Sequence, residues 1–170
     1  MEIPRQSSFL SSVPDDAIIS LVVFDMDDTL LGLNSVKLAY EVRPHTVEAI
    51  LELWNIRNVL VALWSAGTEA YVSNMVDVVL LPAIHVKNPF FFFSRILTYE
   101  DTTNGFKDLN KICEVYDVPK ERVVLIDDSI EQCNLNIMNG FRAIIVPPFQ
   151  PESNLIDDRA LVGLREKILA

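Results

Sequence analysis

Three apolar runs in this chain of 170 residues end abruptly in carboxylates or hydroxyls. Leu21-Val22-Val23-Phe24 runs into Asp25-Met26-Asp27-Asp28-Thr29, Val59 to Trp64 runs into Ser65, and Val123 to Ile126 runs into Asp127-Asp128. An unbroken stretch of β-branched and aromatic residues reads as a strand covered on both faces, which is how parallel sheets are built. The carboxyl ends of such strands form the edge where open α/β folds place their ligands. All three polar clusters are therefore expected on one rim of one sheet.

Carboxylates crowded on a rim repel one another, so each holds its proton more tightly unless a cation shares the site. Hard oxygen donors of this kind suit Mg²⁺, which takes one or two carboxylates and leaves its other positions to water and phosphate. The plain competitor is an acidic turn after a core strand, since Asp is an ordinary loop residue.

Between the runs the pattern alternates strand and helix. A turn and short hairpin are expected over Leu30 to Glu41. After Pro44 a helix capped by Thr46 carries Val47, Ile50, Leu51 and Trp54 at helical spacing. A second helix begins near Thr68, presents Tyr71, Val72, Met75 and Val76 on one face, and ends before Pro82. The stretch from Pro82 to Gly105, with Phe90-Phe91-Phe92-Phe93 and Arg95, reads as a short strand or two and a loop. Lys107 to Tyr116 is expected as a helix with Leu109, Ile112 and Val115 inward, and Ile130 to Met138 as a helix stopped by Asn139-Gly140. Ala143 to Val146 supplies one more strand, and Leu161, Leu164 and Ile168 a last helix. This alternation implies α/β architecture, a parallel sheet with helices on both faces. Residues 1–18 are expected as an N-terminal arm and 19–170 as a single domain.

Half of the residues are apolar, enough for one proper core at this length. The formal charge of −10 and the absence of a basic stripe argue against nucleic acid as a partner, because phosphate neutralisation needs clustered Lys and Arg. No apolar run approaches the roughly 20 residues that span a bilayer, and no secretory signal is evident, so an intracellular, soluble protein of cytoplasm or nucleus is expected. Cys113 and Cys133 fall in helix-like segments and read as buried thiols.

The strand ends assemble a nucleophile, a second carboxylate, a hydroxyl, an ammonium at Lys107 and an acidic pair, an inventory that suits phosphoryl transfer through an aspartyl phosphate. With these residues in this order the chain resembles the haloacid dehalogenase (HAD) superfamily of phosphatases. Its four motifs are matched by Asp25-Met26-Asp27-Asp28-Thr29, by Ser65 in Leu63-Trp64-Ser65-Ala66-Gly67, by Lys107, and by Asp127-Asp128. The short spacing of the first two motifs and Phe106-Lys107-Asp108-Leu109 are similar to the FCP/SCP group, the NIF-like phosphatases of the RNA polymerase II C-terminal domain. Magnesium-dependent phosphatase is the next most similar relative. The FCP/SCP group often carries Asp-Asn where this chain has Asp127-Asp128.

The resemblance implies a HAD-like (Rossmannoid) fold without a large cap domain. It implies Asp25 as nucleophile and Asp27 as general acid and base. Asp25, the Asp27 carbonyl and Asp128 would hold Mg²⁺, with Asp127 beside them. Ser65 and Lys107 would grip the phosphoryl oxygens, and Thr29 would orient the first motif. The implied partner is a phosphoserine or phosphothreonine protein, with a small phosphomonoester as the alternative substrate. A receiver-type signalling module uses similar groups in a different order, and an idle interaction module would lack the nucleophile or the lysine.

Overall fold

The computed structural model describes residues 19–85, 87–154 and 158–170. The expected arm at 1–18 lies outside the described residues.

Strand β1 (Leu21–Phe24) lies at the centre of a five-stranded sheet. It is followed by a hairpin of β2 (Leu31–Asn34) and β3 (Ala39–Val42), helix α1 (Thr46–Trp54) and strand β4 (Leu60–Trp64). Helices α2 (Glu69–Met75) and α3 (Leu81–Ile84) precede strand β5 (Arg95–Leu97). Helix α4 (Leu109–Tyr116), strand β6 (Val123–Asp127), helix α5 (Ile130–Met138) and strand β7 (Arg142–Ile145) come next, then helices α6 (Pro151–Asn154) and α7 (Leu164–Leu169). The sheet order is β5-β4-β1-β6-β7 and every pairing in it is parallel. Phe24 stands level with Leu63 of β4 and with Ile126 of β6, so the residues that follow these strands emerge side by side.

The sheet has two covered faces. Val22 and Phe24 of β1 pack with Ile50 and Leu53 of α1, Val72 of α2 and Leu164 of α7, while Leu21 and Val23 pack with Leu109 and Ile112 of α4 and Cys133 of α5. Every residue of β1 is fully buried, which accounts for an apolar run with no polar alternation. Between Thr29 and β4 stand only the hairpin and α1, and no inserted domain occurs among the described residues.

Several local expectations are corrected. The cap of α1 is His45, in left-handed conformation at φ 66°, while Thr46 is the first helical residue and donates from its hydroxyl to the Leu30 carbonyl at 3.4 Å. Pro82 does not follow a helix end. A π-helical turn at Val76–Leu80 carries α2 directly into α3, and Pro82 falls in the first turn of α3, where a missing N–H is tolerated. Val115 is exposed, and Tyr116 and Cys113 pack on the core in its place, because α4 turns its face by the i, i+3, i+7 rule from Leu109. Of the four phenylalanines, Phe92 and Phe93 are buried edge-to-face at 5.3 Å, whereas Phe90 is exposed and lines a surface cavity of about 470 Å³ with Val72, Val76 and Ile96. Arg95 begins β5 level with Ala62, midway along β4 and not at the strand ends that carry the polar clusters. Cys133 is fully buried and Cys113 half-buried, and both are free thiols. No helix among the described residues is long and apolar enough to cross a membrane.

Candidate active site

Backbone pairing at the strand ends places the first and fourth motifs in contact. The Asp25 N–H donates to the Ile126 carbonyl at 2.9 Å, which continues the β1–β6 ladder one residue past the strand. The chain then turns sharply: the Leu30 N–H donates to the Met26 carbonyl, and the Asp28 N–H to the Leu31 carbonyl. Asp28 itself is exposed at φ 58° within this turn.

Inside this turn a single ammonium serves two carboxylates. Lys107 Nζ lies 2.5 Å from Asp25 Oδ1 and 2.7 Å from Asp127 Oδ2, and all three groups are buried. Burial alone would pull the lysine towards neutrality, but the two carboxylates outweigh it and hold its pKa above the ordinary value. Burial pushes Asp25 up to about 7, against the pull of Lys107 and with Asp127 adding to the rise. Burial and then Asp127 also raise Asp128.

Thr29, fully buried, links the two ends of the cluster. Its hydroxyl lies 2.9 Å from Asp25 Oδ2 and 3.2 Å from Asp128 Oδ1, and it accepts the Asp128 N–H at 3.1 Å. Carboxylate oxygens of Asp25, Asp127 and Asp128 all lie within 4.8 Å of one another. Three carboxylates facing one ammonium leave negative charge uncompensated, and repulsion from Asp127 adds to the larger effect of burial in raising Asp25 and Asp128. An all-oxygen donor set with that deficit fits a small hard dication such as Mg²⁺. Asp127, expected beside the metal, lies with Asp25 and Asp128 in the group of carboxylates that could hold one.

Asp27 lies apart from that trio. Its side chain is half-buried on the β4 side of the turn, where Oδ2 accepts from the Ser65 hydroxyl at 3.1 Å and Oδ1 from the Tyr71 hydroxyl at 2.5 Å. Ser65 is positioned by the N–H it donates to the Leu97 carbonyl and by the Gly67 N–H that its oxygen accepts at 3.0 Å. The two motif-one acids thus occupy different surroundings, one clamped by an ammonium and the other held by hydroxyls.

Four supporting residues escaped the sequence reading. Gln132 and Asn136, at i and i+4 on α5, hold the loop that carries Lys107: Gln132 accepts its N–H at 3.0 Å, and Asn136 Nδ2 donates to its carbonyl at 3.0 Å. Arg43, fully buried, donates through Nε to both carboxylate oxygens of Asp158, and through its other nitrogens to the carbonyls of Thr29 and Pro147 at 3.2 and 2.7 Å. Tyr71 was expected only as part of an apolar helix face. The spacing of Gln132 and Asn136 on the inner side of a helix was a usable signal, and Arg43 offered none.

Comparison with known proteins bears on the family and the fold. A family model described as NLI interacting factor-like phosphatase matches residues 20–168. No curated protein matches the chain. Among solved structures, a HAD family enzyme from Bacteroides thetaiotaomicron, in complex with magnesium and inorganic phosphate, superposes with a TM-score of 0.63 at 10% identity, over 82% of this chain and 100% of that one. CbbY from Rhodobacter sphaeroides, in complex with phosphate, gives 0.59 at 13% identity, over 77% and 87%. A variant of the fission yeast RNA polymerase II CTD phosphatase Fcp1, bound to beryllium fluoride, gives 0.55 at 15% identity, over 89% of this chain and 50% of that one. At such identities the likeness establishes the HAD-like fold, and the chain spans about half the length of Fcp1.

Proposed function

Because the chain belongs to the NLI interacting factor-like phosphatase family, we propose that it hydrolyses phosphomonoesters through an aspartyl phosphate on Asp25, with phosphoserine or phosphothreonine in a protein as the substrate. The observation that carries this reading is the separation of the two motif-one acids. Asp25 sits against Lys107, Asp127 and Asp128, whereas Asp27 is held by Ser65 and Tyr71. Two carboxylates two residues apart with different neighbours can take different roles.

Asp25 must be ionised to attack phosphorus, and Lys107 favours that form. Attack by an Asp25 oxygen forms the new P–O bond as the ester P–O bond breaks, and Asp27 gives its proton to the departing oxygen. Asp27, now a carboxylate, takes a proton from water as that water attacks phosphorus, the bond to Asp25 breaks, and inorganic phosphate leaves. Ser65 and Lys107 offer a hydroxyl and an ammonium to the phosphoryl oxygens at the rim. Bound Mg²⁺ supplies charge neutralisation between carboxylates and phosphate. Asp25, Asp127 and Asp128 would hold it, and the side chain of Asp27, turned towards Ser65, leaves that residue only its backbone carbonyl for the purpose.

A protein substrate is supported by the absence, among the described residues, of any inserted domain larger than the hairpin between Thr29 and β4. The test is hydrolysis of 4-nitrophenyl phosphate and of phosphoserine peptides, with Mg²⁺ or EDTA, beside Asp25→Asn. Metal-dependent release of phosphate, lost in the variant, is expected for both. Release from the aryl ester alone would move the assignment to small phosphomonoesters, and release at the variant's level would refute the chemistry.

A further inference from the structure

We infer that Tyr71 is a positioning residue that fixes which oxygen of Asp27 faces the departing group, with Tyr40 of the hairpin as its outer support. The inference rests on the acid–base role proposed for Asp27. The Tyr71 hydroxyl lies 2.5 Å from Asp27 Oδ1 and 3.3 Å from the Tyr40 hydroxyl. A phenol carries one proton. The carboxylate is the stronger acceptor, so Tyr71 donates to Asp27 and the longer contact is made with Tyr40 donating to Tyr71. The result is a directed relay from strand β3 through α2 to Asp27.

The local backbone is shaped for this placement. Tyr71 lies in the first turn of α2, and the Thr68 side chain that caps the helix accepts the Tyr71 N–H at 3.4 Å. A β-carbon on Gly67 would stand 2.4 Å from Tyr71 Cδ1, so glycine leaves the space that the ring occupies. A larger residue at 67 would push the ring off the loop that bears Ser65.

The chemical consequence lies in the symmetry of a carboxyl group. The terminal torsion of Asp is broad and two-fold, so its oxygens exchange unless each has its own partner. With Oδ1 engaged by Tyr71, the proton for the departing oxygen is carried on Oδ2, the oxygen that the Ser65 hydroxyl reaches at the rim. Without the phenol the carboxyl samples other orientations, and only a fraction of them can deliver the proton in line. The penalty grows as the leaving group becomes a poorer one.

The decisive experiment measures kcat/KM with Mg²⁺ for aryl phosphates of one size that differ in leaving-group basicity, from 4-nitrophenyl to 4-methoxyphenyl phosphate, in the wild type and in Tyr71→Phe. General acid–base catalysis is worth on the order of 10²–10⁴-fold. Tyr71→Phe, which keeps the ring against Gly67, is expected to lose under about 5-fold on the nitrophenyl ester and roughly 10-fold more on the methoxyphenyl ester. Tyr40→Phe should steepen the dependence in the same sense by a smaller factor, and it provides the same reading should Tyr71→Phe fail to fold. Equal losses across the series, or none, in an active protein would overturn the role of Tyr71 alone. A wild type without Mg²⁺-dependent turnover would overturn the phosphatase reading and this inference with it.

Discussion

Replacing Arg43 with methionine should destabilise the protein by about 3–5 kcal/mol, the usual consequence of removing one partner from a buried ion pair. The guanidinium and the Asp158 carboxylate are 0% and 3% exposed, so water cannot take over either role. Nε lies 3.0 and 3.1 Å from the two Asp158 oxygens. Of those partners Asp158 would keep the Ala160 N–H, while the Thr29 and Pro147 carbonyls would each lose a donor. Methionine refills the space over Phe149, whose ring centroid is 5.5 Å from the guanidinium carbon, so the loss is electrostatic and not a cavity. Equilibrium urea unfolding is the assay. With an m-value of about 2 kcal/mol/M the midpoint should fall by roughly 2 M. Adding Asp158→Asn to Arg43→Met should restore part of that, since the stranded charge is then gone. A midpoint shift below about 0.5 M, or a double variant no more stable than the single one, would refute the account of a desolvated pair.

Lys107→Met should lower kcat by at least about 100-fold on any phosphomonoester, about 3 kcal/mol of lost transition-state stabilisation, and steady-state assays at saturating Mg²⁺ would show it. Asn136→Ala strips the Lys107 carbonyl and the Leu109 N–H of their partner, so a loss of about 1–3 kcal/mol in thermal unfolding should accompany a fall in kcat. The raised pKa of Asp25 has a definite sign. Its folded value of about 7 exceeds the ordinary 3.8, so the stability it confers is complete below about pH 4 and is lost as pH rises to 7 and beyond. The metal-free protein should therefore melt lower at pH 8 than at pH 5, Asp25→Asn should flatten that trend, and Mg²⁺ should raise the melting temperature more at pH 8. Melting that rises over the same window would contradict it.

The strands and the acidic clusters were legible because each is written locally. A parallel strand buried on both faces is a continuous apolar run, and it stops where Asp25, Ser65 and Asp127 begin. Errors arose where a distant partner decides the outcome. Arg43 sits just after a hairpin and resembles a solvated residue until Asp158 closes on it from 115 positions away. Tyr71 satisfied the helical apolar pattern, and its hydroxyl finds Asp27 only because Gly67 leaves space for the ring. Pro82 signalled a helix end by ordinary rules, which a π-helical turn suspends. Order along the chain named Asp25, Asp127 and Asp128, but that these carboxylates share space depends on the register of β1 against β6.

The sheet order also sets a timetable for synthesis. The first of the described strands to be made occupies the centre, and its neighbour β6 is translated about a hundred residues later. Until the ribosome has passed Asp128, the nascent chain holds Asp25 and Asp27 beside an unpaired apolar edge, with neither Lys107 clamped nor the acidic pair in place. Domains fold as units once their last required segment emerges, and non-local pairing is slow to form. Catalytic competence is thus a late property of the chain, since a chain ending before β6 lacks both Asp127 and Asp128 and leaves Lys107 with one carboxylate in place of two.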